Sequence, residues 1–246
     1  MGAGVDGSSA SVDGSNGQAA DAAGGAPKAR GPSMVPVGGT GFSIDSTEVS
    51  NADYAAFLAA DPQPDLPAVC EGKTGFDPTN GNPFYATGQD DLPVVNVDWC
   101  DAYAYCAWAG KRLCGRIAGG TNPPANGNDA TQSQWYSACS AGGTLLYPYG
   151  AAYVAGICNG NQPMGSPLVA VGSDTGCVGG YPGIYDMSGN AWEWEDSCNA
   201  ETGMNDECQI RGGRLFSAPA ALTCTTGTPA TRGSTMGDRG FRCCSN

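Results

Sequence analysis

The sequence predicts an α+β domain in which loops outweigh helices and strands. Charged residues make up only 14% of the chain, against 39 Gly and 17 Pro, which leaves little material for long amphipathic helices. Two stretches combine a capping residue with an apolar face of helical spacing, and short apolar runs between glycine turns read as strands. The 12 cysteines are scattered rather than set as repeated CxxC pairs, so they read as a disulfide framework and not as a zinc ribbon.

Met1–Ser33 is built mainly from Gly, Ala, Ser, Asp and Asn with almost no large apolar residue. Such a segment cannot bury enough surface to offset its ordering entropy. It reads as a flexible tether with a reach on the order of 30 Å, and the folded domain is expected over 34–246. In Met34–Val49, MVPV, GGTG and FSIDSTEV read as two short strands around a glycine turn. Ser50 then caps a helix and Asp53 completes a capping box. Tyr54, Phe57 and Leu58 fall on one face of it. Asp61–Asp91 is rich in Pro, Gly and Asn and reads as a long connection pinned at Cys70.

Leu92–Val97 is expected as a short strand. Asp98 caps the second helix, with Asp101 at the third position. Trp99, Tyr103 and Cys106 share its core face. Gly110 suits the left-handed position that ends a helix, and Lys111 and Arg112 follow at its negative pole. Asp129–Gly143 predicts a shorter third helix, capped by Asp129 and ended by Gly142. Cys158–Cys177 and Cys198–Cys208 each bracket a loop of small polar residues and are expected to pair locally.

The net charge of −13 leaves few groups to neutralise phosphates, which argues against nucleic acid and anionic membrane surfaces as partners. Histidine is absent, which excludes Ser-His-Asp and Cys-His catalytic units and the usual mixed zinc sites. No apolar run approaches the ~18 residues of a membrane-spanning helix. Disulfides imply an oxidising compartment, so secretion or display at the cell surface is expected. Met1–Arg30 has neither a basic start nor an apolar core of an export signal; the expectation is that the signal was removed, truncated or mis-assigned.

The most informative run is Gly183–Glu195, GIYDMSGNAWEWE. Its carboxylates and a turn-forming glycine suit a hard cation such as calcium, which takes six to eight oxygen ligands. The bland alternative is an acidic turn beside buried tryptophans. This run resembles the GLYDMxGNVWEW signature of the formylglycine-generating, or sulfatase-modifying factor, family. Further blocks follow that family's order. They are STEVSNADYAAFL (Ser46–Leu58), LPVVNVDWCDAYAYCAWAGKRL (Leu92–Leu113), YPYG (Tyr147–Gly150), IRGG (Ile210–Gly213) and RGFRCC (Arg239–Cys244). After GKRL the chain departs from the family's pattern, because Cys114–Asn128 intervenes before the third helix.

The resemblance implies a C-type-lectin-like α+β fold, with two main helices on a small antiparallel sheet and loops fixed by disulfides and calcium. It implies a Cys106–Cys243 bridge, and a bridge from Cys139 to Cys224. It implies calcium on the side chains of Asp186 and Glu193 and the carbonyls of Gly189 and Ala191. Active members hold copper on two cysteines after the RGG block. Here those positions are Ser217 and Leu222, and the serine that follows RGG is Arg214. Neither a hydroxyl nor an isobutyl group replaces a thiolate on Cu(I), so copper is not expected. Iron-dependent relatives use histidines, which this chain lacks.

Three functions follow. The first is a non-catalytic, extracellular or surface-tethered module, stabilised by calcium, that meets a protein or glycan partner through Arg214–Asp238. The second is a formylglycine-generating oxidase of protein cysteines, using O₂ and an alternative copper pair made from Cys224 with Cys243 or Cys244. The third is a disulfide-stapled spacer whose tether is the working part. No residue is assigned a catalytic role.

Overall fold

The capped segments and the short apolar runs form the elements that their spacing predicts, with two exceptions. The computed structural model of the chain describes residues 1, 2, 4, 30–78 and 88–246. The tether expectation therefore lies largely outside the described residues. Residues 30–33 rest on the domain: Arg30 Nη1 donates to the Trp108 carbonyl at 2.5 Å, and Lys111 Nζ to that of Pro32 at 2.8 Å.

Strands β1 (Met34–Pro36) and β2 (Ser43–Asp45) pair antiparallel across the glycine turn. Helix α1 (Asn51–Ala59) starts at a full capping box between Ser50 and Asp53, and buries Tyr54 and Phe57. Helix α2 (Trp99–Trp108) starts the same way at Asp98 and Asp101, and buries Trp99, Tyr105 and Cys106. Each box satisfies two backbone donors that a bare helix start leaves open. Gly110 adopts φ +72°, the conformation that closes the second helix.

Leu92–Val97 does not form a strand. Its valines are buried, but Val94 N–H goes to the Val49 carbonyl and Asn96 N–H to that of Met236, and Asn96 has φ +63°. Scattered partners and a left-handed residue replace a ladder. The third helix, α3 (Gln134–Cys139), is capped by Ser133 rather than Asp129. Asp129 instead closes a local turn onto the backbone and hydroxyl of Thr131. A side chain engaged two residues ahead does not cap a helix that starts five residues later.

Among the described residues, β3 (Arg112–Leu113), β8 (Cys243–Ser245), β1 and β2 form a sheet in the order β1-β2-β8-β3, antiparallel throughout. A second sheet, β6-β5-β4-β7, is made from β4 (Trp192–Cys198), β5 (Glu207–Arg211), β6 (Gly227–Thr231) and β7 (Arg239–Phe241). Its β4–β7 pair is parallel. The C-terminal run thus passes from one sheet to the other within seven residues, Arg239–Ser245, and Arg242 sits at the crossing.

One core packs α1 and α2 against β4, β5 and β7; another gathers Phe42, Ile44, Trp135, Ile184 and Met187. Six disulfides staple them: Cys70–Cys100, Cys106–Cys243, Cys114–Cys244, Cys139–Cys224, Cys158–Cys177 and Cys198–Cys208. The expected bridges all form. Cys70 pins its connection to α2, and the adjacent Cys243 and Cys244 reach separately to α2 and to Cys114 just past β3.

Candidate functional site

Ser217 and Leu222, the positions that the resemblance aligns with a copper pair, both pack near Gly213. This glycine has φ +76°. A Cβ placed on it would stand 3.0 Å from Leu222 Cδ2 and 3.3 Å from Ser217 Cβ. The Ser217 hydroxyl accepts from Arg214 N–H at 3.0 Å, and Leu222 is 1% exposed, packed on Gly160 and Gly213. Every cysteine is in a disulfide. Cys224, Cys243 and Cys244, the alternative copper donors, are bound to Cys139, Cys106 and Cys114, so none supplies a thiolate. That corrects the expectation of a spare thiol at Cys243–Cys244.

The Asp186 loop lies behind this turn. Asp186 and Asn190 take φ +60° and +54°, and Gly189 takes +84°. A side chain at Gly189 would strike the Asn159 carbonyl, because its Cβ would lie 2.4 Å away. Gly189 N–H donates to the Gly212 carbonyl at 3.0 Å, and Asn190 N–H to that of Asn159 at 2.7 Å. Asp186 accepts from Gly172 N–H at 2.5 Å. Burial raises its carboxyl to about 6, against the pull of Arg242. Ala191 is buried at the entry to β4, and Glu193 lies within that strand.

Glu193 is fully engaged. Arg242 Nη2 and Nε reach its two oxygens at 2.7 Å each, and Trp135 Nε1 donates to the second at 2.7 Å. Arg242 also donates to the carbonyls of Tyr185 and Asp45. Glu48, wholly buried, accepts from Asn190 Nδ2 at 3.0 Å. Burial and the charges of Asp186 and Glu193 push its carboxyl well above the ordinary range.

Asp186, Gly189, Ala191 and Glu193 thus sit along one turn and the strand it feeds, with donor types that suit calcium. The carboxylate of Glu193 is already committed to Arg242, however. Among the described residues, no group of three or more His, Cys, Asp or Glu side chains is arranged to hold a metal ion.

Sequence reasoning missed Arg242 and Glu48. The available signal was the place of Arg242 between Phe241 and Cys243, both core residues. A guanidinium flanked by core residues calls for compensating acceptors inside the fold.

A cavity of about 300 Å³ opens beside Leu215 and Phe216. It lies between the start of α1, the Leu92–Val95 run, Ser166–Leu168, Leu215–Phe216 and Gly237–Asp238. Arg214 forms an ion pair with Asp238 there, and its guanidinium lies 5.8 Å from the Phe216 ring centre.

Fold and site together define a class: an α+β domain stapled by six disulfides, with no free cysteine. The chain belongs to the sulfatase-modifying factor family; the description "Sulfatase-modifying factor enzyme 1-like domain" matches residues 14–246. It is similar to the formylglycine-generating enzyme of Bos taurus, 25% identical over 82% of this chain and 65% of that one. It is also similar to the "Inactive C-alpha-formylglycine-generating enzyme 2" of Mus musculus, 31% identical over 63% of this chain and 50% of that one. Against these relatives the chain spans between half and just under two thirds of their length. Among solved structures, that of CarF superposes with a TM-score of 0.57 at 23% identity, covering 83% of this chain and 85% of that one, a likeness of fold.

Proposed function

We propose that this domain is a non-catalytic member of its family that acts as an extracellular or surface-held binding and structural module. The observation that carries this is the pair Ser217 and Leu222 converging on Gly213 while every cysteine is locked in a disulfide. Copper-dependent oxidation of a protein cysteine needs two thiolates on the metal, and the turn offers a hydroxyl and an alkyl group. Disulfide density supports an oxidising compartment.

The test is a Cu(I) titration of the full chain with O₂ consumption on a cysteine-containing sulfatase peptide. Neither copper binding nor turnover is expected. The double variant Ser217→Cys, Leu222→Cys should gain Cu(I) binding. Turnover by the unaltered chain would overturn the reading.

The reading includes calcium as a structural ion at Asp186, Gly189, Ala191 and Glu193, on the strength of the family likeness. The ion has to share Glu193 with Arg242, so binding should be weak. A rise in Tm when CaCl₂ is added to chelator-treated protein supports it. An unchanged Tm with no heat of binding removes calcium and leaves Arg242 as the counter-charge.

A further inference from the structure

Ala130–Ser173 contains no Lys, Arg, Asp or Glu, in a chain whose net charge is −13. The run begins with the buried helix α3 and then passes over the surface. There Leu146 and Val154 are 45% and 46% exposed, and Met164 is 81% exposed. Among the described residues, these are three of the five large apolar side chains most open to solvent. The Tyr147 ring packs on those of Tyr149 and Tyr153, with centroids 5.6 and 6.1 Å away, which gathers Leu146–Val154 into one apolar surface. A cavity of about 300 Å³ joins that surface to the Met164 loop, since Gly156, Cys158 and Gln162 all line it, with Asp174 as its one charge. An apolar surface of this kind on a chain otherwise rich in carboxylates marks a contact with another molecule.

We propose that this uncharged surface is where two copies of the chain meet. Charge selects the partner. Two chains that each carry −13 repel wherever their acidic faces approach, so the approach that costs least is through the surface without carboxylates. A basic partner finds almost nothing there to pair with. A glycan calls for open hydroxyl partners, and the tyrosines turn theirs inward: Tyr147 donates to the Pro219 carbonyl at 3.1 Å, and the Tyr149 hydroxyl faces the Val154 N–H. Pairs of identical chains are mostly twofold, so one patch has to serve both sides. Met164 beside the cavity suits that symmetry, because the methionine of each copy can enter the cavity of the other. The proposal does not depend on the loss of copper chemistry, and either can fail without the other.

Sedimentation equilibrium of the full, unreduced chain tests this. A reversible dimer is expected, and it should tighten as salt is raised, because screening removes the repulsion between the two acidic bodies and leaves the apolar contact in place. Leu146→Asp, Val154→Asp and Met164→Asp should each weaken the dimer by about tenfold or more, since each sets a carboxylate against its own copy across the interface. All three side chains are exposed, so the fold does not depend on them. Ala56→Asp, at an exposed position on α1 outside the run, adds the same charge and should leave the dimer nearly unchanged. A chain that stays monomeric at hundreds of micromolar in high salt, a dimer that loosens as salt is raised, or equal sensitivity to Ala56→Asp and Val154→Asp would each overturn the proposal.

Discussion

Arg242 grips both oxygens of Glu193, with Nη2–Oε1 and Nε–Oε2 each at 2.7 Å and both side chains at most 1% exposed. This pair joins the strand that carries the WEWE run to the crossing point between the two sheets. Breaking a buried pair by removing one partner leaves an uncompensated charge, which costs about 3–5 kcal/mol. Arg242→Met should therefore lower stability by that amount in urea unfolding. The double variant Arg242→Met, Glu193→Gln should recover much of it. Equal losses in the single and double variants would show that packing at the crossing matters more than the charge pair.

The cysteines make a second prediction. Alkylation of the unreduced, denatured chain should find no free thiol among the 12 cysteines. The Cys106–Cys243 bridge closes a sequence separation of 137 residues. Because Cys114–Cys244 ties the same two segments, the extra loop it closes is only about ten residues, and its removal by paired Ser substitutions should cost about 2–3 kcal/mol in the chain-entropy account. Two reactive thiols in the unreduced protein would reopen the copper question.

Asp196 gives a pH dependence. Burial, joined by the charge of Glu201, raises its carboxyl from 3.8 to about 6. Between those values the native state holds a proton that the unfolded chain has released. Stability from this group is therefore present at low pH and lost as pH rises through that window. Asp196→Asn should flatten this fall and raise stability at pH 7 by about 1–2 kcal/mol. A steeper fall in the variant would contradict the assignment.

Asp98 has two roles that substitution can separate. Its Oδ1 accepts from Asp101 N–H at 2.9 Å, and its Oδ2 meets Lys73 Nζ at 2.7 Å. Asp98→Ala loses the cap and the ion pair, and should cost about 1–2 kcal/mol. Asp98→Asn keeps the cap and should cost clearly less. Equal losses in thermal unfolding would place the stabilisation in Lys73 rather than in the cap.

Chain-local physics made much of this molecule legible. Ser50 with Asp53, and Asp98 with Asp101, announce helix starts, because a side chain three residues away can reach an open N–H. Cys158–Cys177 and Cys198–Cys208 are close enough in the chain for a short loop to bring them together. The expected strand at Leu92–Val97 failed because buried valines show only that a segment is inside. They do not show whether its backbone groups meet a ladder or, as at Val94 and Asn96, single carbonyls from separate places. Asp129 failed as a cap because Thr131 and Ser133 compete for the same local roles.

The sequence by itself determined the two capped helix starts and the short-range bridges Cys158–Cys177 and Cys198–Cys208, since each depends on residue identity at short spacing. Only the tertiary structure decided that Arg242 meets Glu193, 49 residues away in the chain, and that Asn51 and Asp238 share a cavity wall. Those contacts join segments distant in sequence. Their geometry is set by how two sheets cross and pack, which no local pattern encodes.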